Sequence, residues 1–125
     1  TGSLILRLIF FFFHSLGVTM PLGTDIQSFL LELILTLILM FVILNVSTGS
    51  KEKGITAGIV VGAVIGLEAM FAGPICGASM NPARSLAPAL VSGNCASLWI
   101  YLTAPLLGAT LAVYAFQFLR KEERI

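Results

Sequence analysis

Apolar residues fall into four stretches separated by short polar breaks, at 4–20, 28–46, 55–72 and 98–119. The second is interrupted only by Glu32, Thr36 and Asn45, and the third only by Thr56 and Glu68. The fourth carries Trp99 and Tyr101 near one end. Each of these three approaches the roughly 20 residues that a helix needs to cross a hydrocarbon core. The first stretch holds Arg7 early, His14 late and a phenylalanine run from Phe10 to Phe13. That leaves too short a clean run for a span, and no small-residue cleavage pattern follows it as in a signal peptide. It reads as the end of a helix running into a loop.

The connection 73–97 is too apolar for an ordinary loop and reads GPICGASMNPARSLAPALVSGNCAS. Asn81 followed by Pro82 is a strong helix start, because asparagine is a favoured N-cap and proline a favoured first residue. A helix over 82–91 would be about 15 Å long, half of the ~30 Å hydrocarbon core, before Ser92, Gly93 and Asn94 stop it. Such a segment dips in and returns. A non-helical stretch 73–80 at that depth is tolerated only where it is buried in protein or lines a wet cavity. The pattern therefore points to a pore or a transporter site.

Small residues add a packing expectation. Gly54, Gly58, Gly62 and Gly66 recur every fourth residue in the third stretch, a ridge that lets a neighbouring backbone approach closely. Ala104, Gly108 and Ala112 repeat the spacing more weakly in the fourth, where Pro105 is tolerable because neighbouring helices can satisfy the freed carbonyl. Lys51 and Lys53 lie between the second and third stretches, and Arg120, Lys121 and Arg124 follow the fourth. If the three long stretches each span once, all five lie on one side, which the positive-inside rule makes cytoplasmic.

Composition agrees with lipid as the solvent. The chain has 125 residues, 58% hydrophobic and 10% charged, with a mean hydropathy of +1.02. That leaves too little polar surface for a soluble enzyme, a nucleic-acid binder or a disordered tail. The net charge of +1 makes no case for an anionic partner. Cys76 and Cys95 match no zinc spacing and no CxxC pattern, so no metal or cofactor is expected; they read as packing residues, with one disulfide the alternative. The chain opens at Thr1 rather than at a methionine, which reads as a fragment, a processed chain or a trimmed piece.

MNPARSLAPAL, preceded by AGPICGAS, resembles the second Asn-Pro-Ala signature of the aquaporin (major intrinsic protein) family, closest to the nodulin-like proteins and their bacterial relatives. DIQSFLLELILT is similar to the start of that family's fourth helix. GITAGIVVGAVIGLEAMFAGPICGASMNPARS is similar to its fifth helix and second re-entrant loop, and SLWIYLTAPLLGA to its sixth. The resemblance implies an all-α membrane protein: three transmembrane helices plus one re-entrant half-helix, preceded by a partial helix. In order these are the end of the third helix and outer loop (1–27), helices at 28–46 and 55–72, the re-entrant loop at 73–97, a helix at 98–119 and a cytoplasmic tail at 120–125. The family builds its pore from two inverted halves, each with an Asn-Pro-Ala half-helix. Here Asn81, Pro82 and Ala83 are the one copy, so the resemblance implies that a first half completes the pore.

The resemblance also assigns roles. Asn81 would cap the half-helix and turn its amide donors toward passing oxygens, and the helix N-terminus adds roughly half a positive charge. Arg84 would be the arginine of the outer selectivity constriction, with Ala78 and Ala69 at two further constriction positions; as plain chemistry, a charge in an apolar loop usually lines a cavity. Glu32, with Thr36 one turn on, would support the re-entrant loop by accepting its backbone hydrogen bonds. Glu68 keeps three readings: bracing the loop, lining the vestibule, or sitting protonated against a neighbour. Cys76, near the outer mouth, would be a mercurial target.

Two signals about the solute disagree. Ser85 and Ala89 match the water-channel pattern, whereas Ala69 and Ala78 leave a wide and less polar filter. Nodulin-like members combine both, which implies passage of water with glycerol, urea or metalloid hydroxides. The expected partners are the lipid bilayer, the solutes, the first half, and copies of the chain in a tetramer. The expected location is the cell membrane, multi-pass with a cytoplasmic C-terminus. Competing readings are a strictly water-selective channel, a non-conducting fragment of a channel, and an intramembrane enzyme or proton-coupled transporter using Glu32, Glu68 and His14. The last lacks a nucleophile motif, a paired-carboxylate motif and a metal cluster.

Overall fold

The computed structural model describes residues 2–9, 17–48 and 55–122, all in helices or their connections, with no strand among them. Five helices follow in order: α1 (Gly2–Ile9), α2 (Asp25–Thr48), α3 (Ile55–Cys76), α4 (Pro82–Ser92) and α5 (Leu98–Glu122). Three segments, Asp25–Thr48, Thr56–Cys76 and Leu98–Lys121, are long and apolar enough to cross a membrane. His14, the run from Phe10 to Phe13, Lys51, Lys53, Gly54 and Arg124 lie outside the described residues.

Helix ends overrun the apolar stretches, for local reasons. Thr24 Oγ1 accepts from the Gln27 N–H at 3.2 Å, and Asp25 sits in the first turn where a negative charge suits the helix dipole. At the other end, Asn45 and Thr48 donate to the Phe41 and Leu44 carbonyls at 2.7 and 2.6 Å, so polar side chains satisfy the helix they extend. The stretch 73–80, expected to be non-helical, is helical as far as Cys76. Pro74 loses the bond its own N–H would make and crowds the Met70 carbonyl, but the helix runs only two residues beyond it. Gly73 before it lacks the Cβ that would clash with the proline ring, and the Gly77 N–H closes on the Gly73 carbonyl at 3.0 Å. Gly77, at φ +86°, then ends the helix in the left-handed region that favours glycine.

Helices α2 and α5 form the spine. Phe29 stacks on Trp99 with ring centroids 5.9 Å apart, and Phe41 meets Phe116 edge-on at 6.3 Å. Between them Gly108 lies against the backbone of Leu33 and Leu37. These pairs advance in the same direction along both helices, so α2 and α5 run parallel. The end of α3 returns to their starts, where the Tyr101 hydroxyl donates to the Cys76 carbonyl at 2.6 Å. Helix α3 packs on α2, α4 on α5, and α1 on α4, with the Arg7 guanidinium donating to the Val91 carbonyl at the end of α4.

The two small-residue ridges behave differently. Ala104 and Ala112 flank Gly108 on α5 and are fully buried. On α3, a Cβ added at Gly58, Gly62 or Gly66 would meet nothing within 4 Å. The stronger sequence pattern thus faces open space among the described residues, and the weaker one makes the close approach. A Cβ at Gly108 would run into the Leu33 carbonyl oxygen, which is backbone and cannot step aside. Gly108→Ala is therefore expected to destabilise the chain by about 1–3 kcal/mol through overpacking, while Gly62→Ala leaves it unchanged or slightly more stable. Thermal unfolding of both variants in one detergent compares the two ridges directly.

Candidate functional site

Five residues, 77–81, join α3 to α4 without regular structure. Besides Gly77, both Ala78 (φ +40°) and Met80 (φ +51°) occupy the left-handed region. Each such non-glycine residue costs of order 1–3 kcal/mol and persists only where the surroundings over-determine it. The determinant is Glu32, fully buried on α2. One carboxylate oxygen accepts from the Ser79 N–H at 2.6 Å and the other from the Met80 N–H at 2.8 Å. Thr36 acts differently: its hydroxyl donates to the Glu32 carbonyl at 2.7 Å, inside α2, so its hydrogen bond goes to its own helix rather than to the loop.

Asn81 caps α4. Its backbone is extended (φ −151°, ψ 112°), and its Oδ1 accepts from the Ala83 and Arg84 N–H groups at 3.0 and 3.4 Å. That leaves Nδ2 with both hydrogens uncommitted among the described residues. Pro82 takes the first helical position, where its missing N–H is no loss. At the far end Gly93 (φ +78°) donates to the Ala89 carbonyl at 2.9 Å. Arg84, one turn into α4, folds back over the loop and donates to the Ala78 carbonyl at 2.6 Å and the Gly77 carbonyl at 3.4 Å. Two carbonyls on one nitrogen hold the guanidinium in place while its remaining donors have no partner among the described residues.

These residues converge on one open cleft of about 370 Å³, lined by Leu39, Ile65, Ala69, Ala78, Ser79, Met80, Asn81 and Arg84. One wall is apolar and the other carries the Asn81 and Arg84 donors, next to the positive end of α4. Of the residues singled out from sequence, Ala69, Ala78, Asn81 and Arg84 are brought together here; Glu32 stands behind the loop, and Thr36 lies away from the cleft. The cleft also takes in Leu39, Ile65, Ser79 and Met80, which sequence reading passed over because nothing local separates a cleft-facing leucine from a lipid-facing one. Tyr101, read only as an aromatic near a helix end, is a buried bracket between α5 and α3.

Glu68 is buried on α3, and neither carboxyl oxygen has a hydrogen-bond partner among the described residues. It neither bonds the loop nor lines the cleft. Both cysteines are free. Cys76 is fully buried, so the expectation of a mercurial target at its thiol is not met; Cys95 is the exposed one. No cluster of metal-ligating side chains occurs among the described residues.

Residues 1–116 match the family model described as Major intrinsic protein. The chain is 47% identical to Aquaporin NIP1-1 of Oryza sativa subsp. japonica over 102 residues, which are 82% of this chain and 36% of that protein. It is 43% identical to Nodulin-26 of Glycine max over 120 residues, 95% of this chain and 44% of the relative. To Probable aquaporin NIP5-1 of Arabidopsis thaliana it is 50% identical over 108 residues, 86% and 36% of the two. The chain thus spans less than half the length of these curated relatives.

The two buried glutamates should respond oppositely to the same substitution. Glu32→Leu orphans two buried N–H groups and is expected to cost about 1–3 kcal/mol for each. Glu68→Leu removes a buried carboxyl that has no donor among the described residues, and is expected to leave stability unchanged or raise it by about 1–3 kcal/mol. Thermal unfolding measures both, and amide exchange at Ser79 and Met80 should accelerate in the first variant alone.

Proposed function

The chain belongs to the major intrinsic protein family, and from that premise we propose that it supplies one half of a passive channel for water and small neutral solutes. The observation that carries this reading is the pairing, across one cleft, of an apolar wall with a few fixed donors. Asn81 holds its Oδ1 on the α4 amides, so its Nδ2 is left to donate to a passing oxygen. Arg84, held by the Gly77 and Ala78 carbonyls, offers its other nitrogens to the same traveller. A water that accepts from Asn81 must point its own hydrogens away, which breaks a chain of proton transfer. The arginine charge and the helix N-terminus repel cations. No residue here is asked to make or break a covalent bond, so the proposal is a channel and not an enzyme.

The width of the filter supports a broad solute range. Ala69 and Ala78 line the same cleft as Arg84 with side chains of a single methyl group, which in this proposal leaves room for glycerol, urea or a metalloid hydroxide beside water. A stricter water channel is the second reading, favoured by Ser85 and Ala89, both buried, with 1% and 2% of their surface exposed. In this proposal a first half with its own Asn-Pro-Ala half-helix closes the cleft, and the exposed Gly58, Gly62 and Gly66 ridge is a face for close approach to it. Four such pores would assemble as a tetramer in the cell membrane. Arg120 and Lys121, in the last turn of α5, support a cytoplasmic C-terminus.

Swelling of proteoliposomes that hold the chain together with such a first half tests the proposal. Water and glycerol flux above that of empty vesicles is expected; none at all would leave only a non-conducting fragment, and water alone would favour the second reading. Ala69→His should lower glycerol flux far more than water flux. If it leaves the ratio unchanged, residue 69 does not line the constriction. Arg84→Ala should raise proton or cation leak about tenfold or more, the rate equivalent of one charge-assisted hydrogen bond of roughly 1.5–3 kcal/mol.

A further inference from the structure

Beside the cleft, with Ser79 in its wall, runs a line of three buried hydroxyls whose mutual hydrogen bonds the channel reading does not use. Thr19, Ser79 and Ser85 are 8%, 4% and 1% exposed. Ser79 Oγ lies 2.9 Å from the Asn81 carbonyl, which can only accept, so the Ser79 proton is committed there. On the 2.6 Å contact between Ser79 and Ser85 the donor must then be Ser85. The Ser85 proton is thereby spent, and Thr19 Oγ1 donates to Ser85 at 2.6 Å. The line has one polarity: Thr19 to Ser85 to Ser79 to the Asn81 carbonyl. That carbonyl also receives the Ser85 N–H at 3.4 Å, the first bond of α4.

Thr19 comes from outside the re-entrant segment altogether. It lies between α1 and α2, where the chain crosses the end of α3 and the start of the loop. The Leu22 N–H donates to the Ile75 carbonyl at 3.0 Å. At Gly77 an added Cβ would stand 3.3 Å from both Cβ and Cγ2 of Thr19, so the threonine is seated directly on the loop. Asn94, just past α4, reaches Met20 Sδ at 3.4 Å. The segment therefore touches the loop, the first turn of α4 and the residues that follow α4, without lining the cleft.

We infer that Thr19 is a positioning residue: through Ser85 and Ser79 it sets the rotation of the first turn of α4, and with it the aim of Asn81 and Arg84. Arg84 directly precedes Ser85 on that turn, so a small rotation of α4 moves the guanidinium relative to Ala69 and Ala78. Without the Thr19 hydroxyl, Ser85 loses the donor that holds its rotor and the turn loosens. The inference rests on the channel reading for its effect on solutes, though not for its effect on α4.

The test compares Thr19→Val, which keeps the branched shape and removes the hydroxyl, with Thr19→Ser, which keeps the hydroxyl and removes a methyl. Amide exchange of the full chain in lipid nanodiscs is measured at Ala83, Arg84 and Ser85. Thr19→Val should speed exchange there about three- to tenfold, the size expected for one lost hydrogen bond, with α2 and α5 amides unchanged. Thr19→Ser should match the parent. In pores completed with a first half, Thr19→Val should shift the glycerol-to-water permeability ratio while Thr19→Ser restores it. Parent-like exchange in Thr19→Val, equal effects of the two variants, or acceleration spread over α2 and α5 would each overturn the positioning role. Altered exchange with an unchanged ratio would overturn its reach into selectivity. A parent pore that does not conduct defeats the channel reading alone, since the exchange measurement still decides the role of Thr19.

Discussion

Left-handed backbone in the middle of an apolar protein has amides that no helix can satisfy, and the loop at 77–81 meets this with a single buried carboxylate. Glu32 takes the Ser79 and Met80 N–H groups, one on each oxygen. The exchange works in both directions: the loop gains acceptors where it has no water, and the carboxylate gains donors where it would otherwise be an isolated charge. Once Ser79 and Met80 are held, the Gly77 and Ala78 carbonyls face Arg84, and Asn81 arrives at the start of α4 in the extended backbone a cap requires. The loop that precedes the cleft's donors takes its shape from that clamp.

The clamp needs α2 and the end of α3 in a constant relation, and the packing around it supplies this. Leu35, Ala72, Cys76, Ala78 and Met80 form one buried cluster about the loop, while Tyr101 ties α5 to the last turn of α3. Further along, Gly108 lets α2 and α5 approach to backbone contact. Because that contact is made by a missing side chain, it tolerates little variation. Gly58, Gly62 and Gly66 of α3 have the same spacing but meet nothing within 4 Å among the described residues, so there the close approach is made on α5 and not on α3. The cleft with Asn81 and Arg84 lies beside Ile65 and Ala69 of α3.

Polar groups in the interior are few, and they divide by whether a partner was built for them. Glu32, Tyr101 and the Thr19–Ser85–Ser79 line each end on backbone groups of the loop or of the helix ends beside it. Glu68 and the Ser28 hydroxyl have no such partner among the described residues. The two glutamates are chemically identical and both buried, so what separates them is only whether two amides of a distant loop happen to face the carboxylate. Asn81 and Arg84 are different again. Their acceptable bonds are partly filled by the loop and α4, and what remains faces the cleft.

Much of this was legible in local pattern. Long apolar runs with almost no charge specify membrane-length helices, because backbone groups in lipid must be satisfied within the segment. Asn81 before Pro82, and Gly93 after Ser92, specify a short helix with both caps, since the cap chemistry involves residues within one turn of each other. The helical turn through Gly73 and Pro74 escaped that reading, because a proline commonly ends a helix, whereas here the helix carries on two residues past it. Partner choice across the fold was not legible at all. That Gly108 rather than Gly62 meets a backbone, that Glu32 finds two amides 47 and 48 residues away and Glu68 none among the described residues, and that Thr19 reaches Ser85 across 66 residues depend on how the helices and their connections pack together. A side chain carries the same donors and acceptors wherever it sits; only the packed chain decides what they face.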